Sequence, residues 1–120
     1  MTAAGSVTIF GIKTCDTMKK ARAWLGAHGV TYDFHDYRAA GVDEAMLRDW
    51  VKRAGWETVL NRAGTTFRAL PEADRAALDA ERAVALMMGQ PAMIKRPVLV
   101  RGDGLLIGFK PERYAAFFAR

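Results

Sequence analysis

The feature that most constrains this chain is the junction Val7-Thr8-Ile9-Phe10-Gly11-Ile12-Lys13-Thr14-Cys15-Asp16-Thr17-Met18-Lys19-Lys20. A β-branched and aromatic run stops at Gly11, the pattern of a buried strand that ends abruptly. Past it Met18, Ala21, Leu25 and His28 recur as one buried face of a helix. Thr14 or Asp16 can cap that helix, because each offers a side-chain oxygen to its free N–H groups. The single cysteine of the chain therefore falls in a strand-to-helix turn, at or beside a helix N-terminus. Unpaired N–H groups and the positive end of the helix dipole favour a thiolate there, and Lys13, Lys19 and Lys20 add positive charge. A lone cysteine is ordinarily a small buried hydrophobe. This position makes Cys15 a candidate nucleophile instead.

Gly29 ends the helix, and Val30 to Tyr37 alternate apolar and polar residues as a second strand, so the first forty residues predict a βαβ unit with parallel strands. Asp43 is placed to cap a helix whose apolar face is Met46, Leu47, Trp50, Val51 and Ala54, with Val42 and Leu47 as its staple. Gly55 ends it, and residues 56–60 predict one further turn. Residues 61–68 predict a polar loop carrying Arg62 and Arg68. Pro71 opens another helical stretch at a first-turn position, and residues 81–88 form a further one, its methionines assigned to core packing. Residues 95–100 and 105–109 predict a hairpin turned at Arg101-Gly102-Asp103-Gly104. A last helix starts at Pro111, with Tyr114, Phe117 and Phe118 facing inward. The expected fold class is α/β, in the order β-α-β, helices, β-β-α. One domain is expected over residues 1–120, with 1–40 and 92–120 as core and 41–91 as a helical insertion.

One cysteine rules out an intramolecular disulfide framework, a CxxC pair and a cysteine-rich zinc site. No metal is expected, since His28 and His35 lack ligand spacing with carboxylates or Cys15. The net charge of +5 is spread along the chain, with no aromatic-interleaved basic stripe, which makes nucleic acid the weaker partner class. The polar N-terminus and the lack of any apolar run of about 18 residues predict a cytoplasmic protein with no membrane segment. A phosphatase-type loop needs an arginine six residues past its cysteine, and Ala21 stands there. Met18 occupies the second cysteine position of a thioredoxin pair, so turnover at Cys15 needs an external thiol. An oxyanion or a glutathione carboxylate calls for a fork of N–H donors, which singles out Arg62, Arg68 and Arg96, with Lys110 as a further cation. Arg96 stands out because it directly precedes Pro97 at the mouth of a strand.

Residues 10–21, Phe34-His35-Asp36-Tyr37-Arg38, residues 60–68, Ile94-Lys95-Arg96-Pro97-Val98 and Gly108-Phe109-Lys110-Pro111 together resemble the arsenate reductase family of the thioredoxin fold, and within it the bacterial YffB-type proteins. The resemblance implies a thioredoxin/glutaredoxin-like core with a mixed sheet and a helical insertion between strands two and three. It matches Cys15 to the nucleophile, Arg62 and Arg96 to two catalytic arginines, and Pro97 to the cis-proline. Lys110 stands where arsenate reductases carry a third arginine, a departure that argues against arsenate itself. Lys13, Thr14, Arg68, Pro97 and Lys110 are expected on the substrate or glutathione side. The implied activity is that of a glutathione-dependent monothiol reductase. No bound cofactor is expected; glutathione is the reducing co-substrate, with a disulfide or oxyanion substrate and glutaredoxin as a further partner. The alternatives are a glutaredoxin-coupled arsenate reductase or an Spx-like regulator that binds RNA polymerase without catalysis.

Overall fold

A computed structural model of the chain describes residues 6–119. The chain forms two compact units, one from the N-terminal residues through Asp36 together with the residues from Arg96 onward, the other from Tyr37–Lys95. The seams fall at 36/37 and 95/96.

The first unit holds strand β1 (Val7–Gly11), helix α1 (Asp16–Ala27) and strand β2 (Asp33–Asp36), then, past the second unit, β3 (Val98–Arg101) and β4 (Gly104–Ile107). Its sheet has the order β2-β1-β3-β4, with β1 parallel to β2 and the other pairs antiparallel. This is the mixed thioredoxin-like sheet of the expected α/β class. Register sorts the side chains. Phe34, Ile9, Leu99 and Leu106 form one cross-strand row, and His35, Phe10, Val98 and Ile107 form the next, on the opposite face. Ile9, Leu99 and Leu106 pack with Met18, Ala21 and Leu25 of α1 and with Tyr114, which belongs to the last helix of the chain, Pro111–Phe118. The apolar spacing of α1 thus buries one stripe against one sheet face.

Four expectations in this unit are corrected. The second strand spans Asp33–Asp36 alone, because β1 offers partners only from Thr8 to Gly11 and the chain turns into a helix at Tyr37. Strand three begins at Val98, past Pro97, which has no N–H to give a ladder. His28 is exposed: α1 ends at Ala27, and the His28 ring leaves the helical face to stack on Trp24 at 3.8 Å, with its Nδ1 2.8 Å from the Trp24 carbonyl oxygen. The N-cap of α1 is Cys15, neither Thr14 nor Asp16, since Asp16 is already the first helical residue.

The second unit is helical: α2 (Tyr37–Ala40), α3 (Glu44–Ala54), α4 (Trp56–Val59), α5 (Thr65–Arg68), α6 (Glu72–Ala76) and α7 (Ala80–Gly89), then a 3₁₀ turn at Pro91–Met93. Asp43 caps α3 through the Met46 N–H at 3.2 Å, as the sequence predicts. Gly55 (φ 89°) ends α3 in a conformation that favours glycine. The expected loop over 61–68 instead coils into α5 after Gly64, and Pro71 is the N-cap of α6 where a first-turn position was expected. Leu47, Trp50, Val84, Met87, Met93 and Ile94 are among its buried side chains. An antiparallel bridge joins Leu60 to Ile94. The last helix of the chain, α8 (Pro111–Phe118), belongs to the first unit. Among the described residues no helix is long and apolar enough to cross a membrane.

Candidate functional site

The turn after β1 is closed by backbone bonds. The Cys15 N–H donates to the Ile12 carbonyl and the Lys19 N–H to the Cys15 carbonyl, each at 3.1 Å. Lys13 and Thr14 are exposed at its tip, and Cys15 is half-buried. Gly11 brings the strand close to the helix: a Cβ there would meet the Met18 side chain. Met18, the residue at the place of a second thioredoxin cysteine, is fully buried.

Burial is the largest single influence on the Cys15 thiol and pushes it up, but four others outweigh it. The Met18 N–H, the Arg96 side chain and the Thr17 N–H act as donors toward the sulfur, and the Arg96 charge adds to them. The net result is a thiol held below its ordinary value, which favours the nucleophilic form.

Arg96 is half-buried and directly precedes Pro97, to which it is joined by a cis peptide bond. The Gly108 N–H donates to the Pro97 carbonyl at 2.8 Å, and Gly108 has a φ of 85° that a side chain would strain. Lys110 is exposed at the N-cap of α8, its carbonyl accepting from Arg113 and Tyr114 at 3.0 Å. The His35 ring stands 5.1 Å from Phe10, so it is engaged beside the sheet. The structure thus brings Arg96 onto Cys15, with Lys13, Thr14, Pro97 and Lys110 in the same unit.

Arg62 and Arg68 belong to the second unit, where both are exposed. Arg68 is the last residue of α5. The Arg62 guanidinium stands over the Trp56 ring, 5.6 Å from its centre. Sequence reasoning missed Trp56 and the Met18 and Thr17 N–H groups. The two amides follow from placing Cys15 itself at the N-cap, whereas a ring beneath an arginine six residues on carries no pattern.

A mixed β2-β1-β3-β4 sheet, a cis-proline before β3 and a lone cysteine at the N-terminus of α1 give the chain the arrangement of the thioredoxin fold. The ArsC family profile matches residues 10–117, and the chain belongs to the ArsC family. A solved YFFB protein is 60% identical and superposes with a TM-score of 0.90 over 92% of this chain and 97% of that one. An arsenate reductase (ArsC) related protein from Brucella melitensis is 54% identical, with a TM-score of 0.78 and full coverage of both chains. An uncharacterized protein of Haemophilus influenzae is 39% identical over 94% of this chain and 99% of its own. The global transcriptional regulator Spx of Streptococcus mutans is 27% identical over 95% of this chain and 84% of its own.

Proposed function

We propose that this ArsC-family protein is a glutathione-dependent monothiol reductase with Cys15 as its nucleophile. The observation that carries the reading is the Cys15 thiol, lowered against its own burial by two backbone N–H groups and Arg96. In the first step the Cys15 thiolate attacks the glutathione sulfur of a mixed disulfide. The Cys15–S–S–glutathione bond forms as the substrate thiolate leaves. In the second step the thiolate of another glutathione attacks the glutathione sulfur of that adduct, releasing glutathione disulfide and restoring the Cys15 thiolate. The mixed disulfide is reduced to the substrate thiol, one free glutathione is consumed, and both glutathionyl groups leave as glutathione disulfide. Arg96 favours the thiolate in both steps, as attacking group and as leaving group. Arg62 is assigned to the anionic co-substrate through the family resemblance.

The test is mass spectrometry after incubation with glutathione disulfide. One adduct, absent from Cys15→Ser and cleared by glutathione, is the expected result; no adduct on the native protein overturns the reading. The Spx relatives favour a second reading, a regulator that binds RNA polymerase. Polymerase retained on the protein from extract, with no glutathione turnover, is its signature.

A further inference from the structure

We propose that Met18 is a positioning residue for the Cys15 thiolate: its side chain, seated in the core against Gly11, fixes the first turn of α1 so that the Met18 N–H is held at the sulfur. The inference rests on the reading of Cys15 as a nucleophile and deepens it, by naming what sets the reactivity of that thiol.

Cys15 is the N-cap of α1, and Met18 stands three residues on, at the position whose N–H an N-cap side chain ordinarily receives. Within the first helical turn Asp16 and Lys19 are exposed and Thr17 is half-buried, whereas Met18 is fully buried. Met18 is therefore the side chain that ties this turn to the sheet. It packs in the cluster of Ile9, Ala21, Leu25, Leu99 and Tyr114, and the half-buried Cys15 packs against the same cluster. On the strand side, Gly11 is the last residue of β1 and leaves the space that the Met18 side chain occupies. The buried Ile12 begins the connecting turn, and its carbonyl accepts from the Cys15 N–H at 3.1 Å. Cys15 is thus bracketed by two buried anchors, one on each side of it in the chain.

A hydrogen bond to the sulfur weakens steeply with distance and angle, while the burial that opposes the thiolate stays in place. A small retreat of the first turn would therefore remove a donor and keep the penalty. A close-packed methionine resists that retreat. Of the influences that lower the Cys15 thiol, the Met18 N–H is the foremost. The position that would carry a second thiol in a CxxC pair here supplies packing instead.

Such a role has a kinetic signature that lost stability alone does not share. The rate of thiol–disulfide exchange follows the thiolate fraction, which falls as the pKa rises, and intrinsic nucleophilicity, which rises with pKa by a factor of about 0.4–0.5 on the logarithmic scale. Raising the Cys15 pKa thus slows exchange below the thiolate midpoint and speeds it above.

The experiment follows exchange of the protein with 2,2′-dithiodipyridine, a neutral disulfide, across pH, beside thiolate absorbance and melting curves. Met18→Ala should raise the thiolate midpoint, react about two- to fivefold more slowly below it and react faster above it, the loss of part of a charge-assisted hydrogen bond offset by higher nucleophilicity. Met18→Leu, which keeps the buried volume, should retain the native midpoint. Should Met18→Ala fail to fold by its melting curve, Gly11→Ala, which keeps the thioether but displaces it from the strand side, should raise the midpoint in the same way. An unmoved midpoint in the folded variant, or slower exchange at every pH, overturns the proposal. A rise in Met18→Leu as large as that in Met18→Ala overturns it as well. Because the probe contains no glutathione, a missing glutathione adduct overturns the glutathione reading alone and leaves the midpoint result standing.

Discussion

The Met18 side chain fills the space in which a Cβ on Gly11 would stand, with its Cε 2.8 Å and its Cγ 3.1 Å from that point. The strand that delivers the cysteine turn and the helix that receives it therefore touch with no room between them. Gly11 is needed here for close approach, not for an unusual φ.

Gly11→Ala should accordingly destabilise the protein by about 1–3 kcal/mol, the range for overpacking a tight core. Met18→Ala alone should cost about 2–5 kcal/mol as a cavity. The double variant should cost clearly less than the sum, because each change relieves what the other creates. Denaturant midpoints measure this; strict additivity would mean the two sites do not share the space.

The Cys15 thiol predicts both a reactivity profile and a stability profile. Its folded pKa is lowered, with burial opposing and the Met18 N–H, Arg96 and the Thr17 N–H prevailing. Between the folded value and the unfolded one of about 8.5, the unfolded chain binds more protons, so stability rises with pH. The contribution is complete above the unfolded value and is lost as pH falls through the folded one. The stability difference between native protein and Cys15→Ser should follow that course. Arg96→Ala should move the thiolate absorbance midpoint up. An unmoved midpoint would detach Arg96 from the sulfur.

Tyr114 is fully buried between Phe109 at 4.7 Å and Trp24 at 5.5 Å, both edge-on, and its hydroxyl has no hydrogen-bond partner among the described residues. Burial pushes this phenol far up, so it stays neutral. Tyr114→Phe removes an unsatisfied donor and keeps the ring. It should leave stability unchanged or raise it by about 1 kcal/mol in urea unfolding. A loss above that size would show that the hydroxyl has a partner.

Disulfide exchange should outrun arsenate reduction in a side-by-side assay. Attack on an oxyanion needs preorganised donors on several sides, and one lost donor costs about 2.7–4 kcal/mol in other enzymes. Lys110 provides a compact ammonium at the α8 N-cap, which cannot grip two oxygens in one plane as arginine does. Lys110→Arg should gain arsenate turnover over the native protein. Robust arsenate turnover by the native protein would contradict the argument.

Much of the first unit was legible because its signals are local. The run ending at Gly11 and the stripe Met18, Ala21 and Leu25 each map onto one element, and Arg101-Gly102-Asp103-Gly104 turns β3 into β4. What failed lay at element ends. His28 fits the stripe by count, yet α1 stops one residue earlier and a ring stack on Trp24 takes it outside. The extent of β2 is set by how far β1 runs beside it, a tertiary limit that alternation cannot reveal. Asp43 was legible as a cap from its staple. Asp79 caps α7 through the Arg82 N–H at 2.8 Å, but Ala76, Ala77 and Leu78 before it carry the helical pattern of the preceding stretch straight on, with no break to mark a new start. At the site, Cys15 and Arg96 could be named from residue type and neighbours, whereas the ring under Arg62 depends on how the backbone folds back at Leu60 and Ile94.

The buried thioether of Met18, three residues past Cys15, has a consequence in time. With no second thiol in the chain, an oxidised Cys15 cannot clear itself by forming an internal disulfide. Its oxidised lifetime is set by collisions with outside thiols and lengthens as they are depleted. On the proposed monothiol chemistry, the population of modified Cys15 records the recent balance of oxidant and thiol around the protein, erased at a rate that the surroundings dictate.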